Sequence, residues 1–282
     1  MLNAGTTFSE YELTQTDFEK ISRLIYEQSG IALHEGKKEL VRARLGKRLR
    51  QGRFKSFRDY YQFVVQDDTG EELVYLLDSI STNLTSFFRE QVHFDFLQQD
   101  LIPRWRAAKP SRDKALHIWS AGCSTGEEVY SIAITLLETL GPLEKWDLKL
   151  LASDISTRVL KKAVAGIYEK ERVRTLPPAT VKKYFLRGEN NWRDHVKIKN
   201  SIKDLVVFKR VNLMEPFSFQ KAFDCIFCRN VMIYFDKKTQ ETLVNRFYQN
   251  LQPEGVLFIG HSESLTGIQH PFQYLRPAVY KR

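Results

Sequence analysis

A chain of 282 residues is long for one ordinary domain and suits one of about 200 residues with a small companion, so a sizeable core can be buried. With 43% apolar and 27% charged residues and a mean hydropathy of -0.38, the composition is globular and excludes a disordered class; no apolar run approaches the roughly 18 residues of a membrane span, and no basic start leads into an apolar stretch, so the expectation is a cytoplasmic protein without membrane insertion. The net charge of +9 raises nucleic acid as a partner, and three cysteines, Cys123, Cys225 and Cys228, are too few and too odd in number for a disulfide framework.

The first part, to about residue 80, predicts short consecutive helices. Phe18, Ile21, Leu24 and Ile25 recur at helical spacing, with Gly30 as a stop. Residues 37 to 55 hold nine Lys or Arg against Glu39 alone, which is most of the chain's net charge. Within that run Val41, Leu45 and Leu49 form an apolar stripe at four-residue steps, leaving Arg42, Arg44, Lys47, Arg48 and Arg50 for an outward basic face. Such a face is either a solvated surface or a docking face for an acidic partner. SFRDYYQFVV and EELVYLLDSI predict two further helices.

After residue 90 apolar strand runs alternate with helical patterns: ALHIWSAG and a helix from about 126, DLKLLASD and a helix from about 156, KAFDCIFC and a helix from about 236, then GVLFIGHSE. That alternation predicts a parallel sheet with helices on both faces. Right-handed crossovers gather the strands' C-terminal ends along one edge, where ligands bind. Between about 168 and 210 the pattern breaks into YFLRG, HVKIKNSI and VVFKRVNL around the polar GENNWRDH, which predicts a small β insertion. Cys225 and Cys228 lie in one strand-like run, where positions three apart face opposite sides, so no metal is expected there.

The first sheet strand runs into Ser120-Ala121-Gly122-Cys123-Ser124-Thr125-Gly126-Glu127-Glu128. Small residues before a helix N-terminus let a ligand approach the backbone closely. No Walker loop and no G-x-G-x-x-G is present, and two glutamates would repel a phosphate but suit a cationic ammonium or sulfonium; they also serve as ordinary dipole partners. Asp154 ends the next strand and either accepts ribose hydroxyls or caps the following helix. Asn212-Leu213 and Arg229-Asn230 end two further runs at the same edge. His261-Ser262-Glu263 has the residue types of a hydrolase triad, but neighbours at a strand end do not converge. Cys123 is read as a packed small side chain.

Taken together, NLTSFFRE (83–90), IWSAGCSTGEEVYSIAI, ASDIS, VNL, FDCIFCRNVMIYFD and GHSESL resemble, in order, the CheR-type chemotaxis protein-glutamate O-methyltransferases. The resemblance implies a class I S-adenosylmethionine-dependent methyltransferase, with a Rossmann-like α/β sheet carrying a small antiparallel β insertion over residues 81–282 and an all-α substrate-docking domain over 1–80. It implies cofactor contacts from Asn83, Thr85, Arg89, Glu128, Asp154, Asn212, Leu213, Arg229 and Asn230, with Glu127 an alternative to Glu128. Arg89 and Tyr234 are implied at the methyl-transfer site. Val129 stands where the family commonly has proline, which would only pre-set the first helical turn.

The implied reaction methylates receptor glutamates with S-adenosylmethionine, leaving S-adenosylhomocysteine, in sensory adaptation and without a metal. The implied partner is the cytoplasmic helical domain of chemotaxis receptors, met by the basic helix, with a receptor tail peptide as a candidate for the β insertion and a monomer expected. A nucleic-acid methyltransferase is the enzymatic alternative, but the chain has no N-P-P-Y run and no Pro-Cys pair, so no nucleic acid is expected. A cofactor-binding signalling module without turnover is the other.

Overall fold

The computed structural model describes residues 11–81, 83–108, 115–141 and 146–282. The opening ten residues of the expected helical domain lie outside these. The chain divides into two compact units: residues 11–81 with Tyr234–Asp236, and the sheet-bearing remainder from Asn83 onward.

The helical unit contains α1 (Gln15–Ser29), α2 (Lys38–Gly52), α3 (Phe57–Gln66) and α4 (Glu71–Ile80). Local chemistry sets their ends. The Thr14 hydroxyl accepts the Asp17 amide at 3.1 Å and Ser56 does the same for Asp59, while Gly30, at φ 72°, ends α1 in a left-handed cap that a side chain would strain. Val41, Leu45 and Leu49 are fully buried, as their spacing predicts. Each contributes roughly 1.5–3 kcal/mol relative to exposure. Arg48 then ties α2 to α4: its Nε donates to Glu72 at 2.7 Å and its guanidinium lies over the Tyr75 ring.

The second unit begins with α5 (Gln91–Phe96), which continues through a π turn at Leu97–Leu101 into α6 (Ile102–Ala108). There follow β1 (Ala115–Ala121), α7 (Glu127–Thr139), β2 (Asp147–Asp154), α8 (Thr157–Ala165), β3 (Ile167–Glu169), α9 (Pro178–Tyr184), β4 (Phe185–Arg187), β5 (His195–Ile198), α10 (Asn200–Lys203), β6 (Val206–Arg210), β7 (Phe223–Cys228), α11 (Lys237–Asn250), β8 (Leu251–Ile259), β9 (Gln273–Arg276) and β10 (Val279–Lys281). The main sheet has the order β6-β2-β1-β7-β8-β10-β9. Its first five strands are parallel and the last two close one edge as an antiparallel pair, which the expected parallel sheet did not include.

One stretch differs from expectation. VVFKRVNL, grouped with the β insertion extending to about 210, is β6 of the main sheet, paired in parallel with β2 from Leu150↔Val206 to Asp154↔Arg210. The insertion is the smaller antiparallel sheet β3-β5-β4. A short strand's apolar pattern does not reveal which neighbour it joins.

Alternation along β1 builds the core. Trp119 is fully buried against the rings of Phe217, Phe219, Phe223 and Phe247, with its indole N–H donating to Ser153 at 2.8 Å. Leu116 and Ile118 join the cluster formed with Val129, Ile132, Ala133 and Leu136 of α7. The parallel strands therefore deliver their C-terminal ends to one edge, and the central strands β1 and β7 are buried on both faces.

Candidate active site

Three loops at that edge are locked together by their own backbones. Gly122 and Cys123 both donate to the Ser153 carbonyl at 2.8 Å, and Val211 donates to the Asp154 carbonyl at 3.2 Å. Phe88, Glu90, Ser124 and Asn230 all sit at left-handed φ, between 49° and 59°. Non-glycine residues held there cost of order 1–3 kcal/mol each and concentrate where geometry serves a site. Gly260 permits the close approach of the loop after β7, because a Cβ on it would lie 2.4 Å from Asn230 Nδ2.

Asn83, the first residue of the 83–90 segment, accepts the Ser124 hydroxyl on its carbonyl at 3.0 Å, while its buried Nδ2 has no partner among the described residues. Thr85 gives its carbonyl to Arg172 at 2.8 Å. Arg89 donates from Nη1 to the Leu84 carbonyl at 2.9 Å and remains partly exposed. Asp154 is buried and accepts the amides of Ser124 and Ser156, both at 2.9 Å. The cap of α8 is Ser156, so the helix-cap alternative for Asp154 does not hold. Asn212 accepts the Met214 amide at 3.1 Å, and Arg246 fixes the carbonyls of Leu213, Met214 and Glu215.

The two glutamates at the start of α7 part company. Glu127 is fully buried and committed on both oxygens, to Arg172 and, at 2.6 Å, to the Thr125 hydroxyl. Glu128 accepts Ser120 at 2.7 Å and Arg229 at 3.1 Å. Burial pushes its carboxyl above the ordinary range, with Arg229 and Ser120 pulling the other way. Arg229, with a side chain only 2% exposed, also donates to Glu90 at 2.9 Å and to the Arg89 carbonyl. Burial works to raise the Glu90 carboxyl, but the Arg229 guanidinium outweighs it and holds the group low. Asn230 lies between Glu90, which it faces at 3.4 Å, and Glu263, which accepts its amide at 2.9 Å.

The sequence did not single out Glu263 as a structural anchor. Its carboxylate accepts the amides of Asn230, Ile233 and Gly260, so it holds the loop after β7 against the loop after β8. Burial pushes its pKa up and those amides oppose the shift. Among the described residues, Glu90, His93 and His261 place ligand-type atoms within 4.8 Å of one another, a grouping the expectation of no metal did not foresee. Arg229 already neutralises that carboxylate, and burial pushes the His93 imidazole down to about 3, keeping it neutral.

Tyr234 falls in the helical unit, where its carbonyl accepts the Ala32 amide at 2.9 Å. Of the five docking candidates on α2, Arg44 donates to the Ile80 and Ser81 carbonyls and Arg48 is bound to Glu72. Lys47 and Arg50 are exposed, and Arg42 pairs with Glu39 at 2.5 Å.

Residues 16–81 match the model of the CheR methyltransferase all-alpha domain, and residues 83–280 that of the CheR methyltransferase SAM binding domain. The chain belongs to the CheR methyltransferase family. It is 41% identical over 273 residues to a chemotaxis protein methyltransferase of Borreliella burgdorferi, covering 96% of this chain and 95% of the relative. It is 42% identical over 272 residues to chemotaxis protein methyltransferase 2 of Pseudomonas aeruginosa (96% and 94% covered), and 43% identical over 269 residues to the Klebsiella aerogenes enzyme (95% and 90% covered). As a CheR methyltransferase it carries the class I Rossmann-like sheet, the antiparallel insertion and the all-α N-terminal unit in one chain. Within the described residues no helix is long and apolar enough to cross a membrane.

Proposed function

We propose that this CheR-family chain transfers the methyl group of S-adenosylmethionine to glutamate carboxylates of chemotaxis receptors, giving glutamate methyl esters. The reading is carried by one observation: both family modules match in order over nearly the whole chain, with Asn83, Thr85 and Arg89 standing on the family's N-x-T-x-x-x-R element. The relatives' names supply the chemotactic setting.

The residues present fit such a cofactor. Asn83 offers a buried amide N–H₂ without a partner among the described residues, beside the Gly122–Gly126 loop that leads into the N-terminus of α7. Asn83, Thr85, Arg89, Glu128, Asp154, Asn212, Leu213, Arg229 and Asn230 are the groups assigned to hold it. Once bound, the cofactor supplies an electrophilic methyl on a sulfonium. Glu127 and Glu128 each carry two internal bonds, so the assignment of the cation-facing role to Glu128, with Glu127 as the alternative, follows the family resemblance.

An ionised carboxylate needs no general base, so the protein's task is alignment and exclusion of water. Arg89 has N–H donors without a partner among the described residues beyond its bond to Leu84 and is assigned to orient the substrate carboxylate by a bidentate contact. Tyr234 is assigned to the methyl's environment on the strength of the family resemblance. Exposed Lys47 and Arg50, with Arg42, form the face assigned to the acidic helical domain of the receptor. A receptor tail peptide at the β insertion, a cytoplasmic location and a monomeric state complete the reading.

Arg89→Ala separates substrate orientation from cofactor binding. Turnover should fall on the order of 100-fold while the affinity for S-adenosylhomocysteine, measured by calorimetry, falls much less. Equal losses in both would make Arg89 a cofactor ligand only.

A further inference from the structure

The β insertion is fixed to the segments assigned to the cofactor at three points, and one is an ion pair with no role so far. Arg172 follows β3 in the short turn Lys170–Val173. Its Nη2 donates to the fully buried carboxylate of Glu127 and to the Thr85 carbonyl. Tyr168, in β3, donates its hydroxyl to the Thr125 carbonyl at 2.7 Å. Phe87 packs edge-on against Tyr168 at 5.0 Å and against Phe185 of β4 at 5.4 Å.

Residues 83–86 have no helix or strand of their own, so side-chain ties set their path. Glu127 begins α7 directly beside Glu128. A single guanidinium from the insertion thus bonds both the 83–87 segment, at the Thr85 carbonyl, and the start of α7, at Glu127. A buried carboxylate answered by one cation makes that tie strong, because losing the partner leaves an uncompensated charge.

We propose that Arg172 is a positioning residue: through Glu127 and the Thr85 carbonyl it couples the β insertion to the cofactor site, so that cofactor binding stiffens the insertion and anything stiffening the insertion tightens cofactor binding. The coupling is reciprocal by thermodynamic necessity. It rests on the cofactor assignment above and adds a control point outside it.

The test uses the full chain and S-adenosylhomocysteine as probe. Amide hydrogen exchange in residues 166–198 is compared with and without saturating probe, and affinity is measured by calorimetry. In the unaltered protein the probe should slow exchange in β3, β4 and β5. Glu127→Gln combined with Arg172→Gln removes the ion pair without leaving a lone buried charge. That double variant should keep a cooperative thermal melt, bind the probe on the order of tenfold more weakly and lose the probe-dependent protection. Arg172→Lys, which keeps the charge, should recover part of it. Probe binding with no change of exchange in the unaltered insertion overturns the coupling, as does full protection and affinity in the double variant. Failure of the unaltered protein to bind the probe overturns the cofactor assignment itself.

Discussion

Arg229 answers two carboxylates from a nearly buried position, so its loss should be felt in folding before it is felt in turnover. Arg229→Met leaves Glu90 and Glu128 without their cation, and urea denaturation should show a loss of about 3–5 kcal/mol. A loss below about 1 kcal/mol, typical of an exposed pair, would mean that the two acids do not depend on it. His93 makes a second case. Its imidazole is 1% exposed, neither ring nitrogen has a hydrogen-bond partner among the described residues, and burial, helped by Arg229, pushes its pKa down to about 3 from 6.5. The unfolded chain therefore takes up a proton near pH 6.5 that the folded chain refuses until about 3. This contribution is present above pH 6.5 and declines as pH falls through that window, by up to about 1.4 kcal/mol per pH unit. His93→Phe fits the ring's aromatic surroundings and should flatten the acid side of the stability profile relative to the unaltered protein. Parallel profiles would place the titration elsewhere.

At the scale of elements, α2 shows how a charge run divides its labour. Arg44 and Arg48 turn inward as struts, whereas Lys47 and Arg50 stay in solvent. Reversing Lys47 and Arg50 to Glu should raise the apparent KM for receptor about tenfold at low salt, with the effect shrinking as salt rises and cofactor affinity unchanged. Unchanged kinetics would make the face a solubilising one. The helices α2, α3, α4, α7 and α8 were legible because period and caps are local: Val41, Leu45 and Leu49 are the stripe the spacing foretold. The partner of β6 was not, since five apolar-leaning residues pair equally well in an insertion or a sheet. Nor were the ties of the site. Glu90 and Arg229 stand 139 positions apart, and nothing local to Glu127-Glu128 says which of two adjacent acids faces an arginine of the insertion. The strand-end positions of Asp154, Asn212 and Asn230 could be read from topology; the anchoring by Glu263 required the folded loops.

Across the whole molecule, a helical unit and a Rossmann-like unit are joined in one chain, and the family match covers both. Under the proposed function the sheet-bearing unit is assigned the cofactor and the helical unit the acidic substrate. The most direct measurement is transfer from S-adenosylmethionine labelled in its methyl group, using the full-length protein and membranes containing chemotaxis receptors. Carboxylate methylation puts the label on receptor and releases it in mild base as methanol, as an ester requires. Label that survives base, or that appears on nucleic acid and not on receptor, would contradict transfer to glutamate.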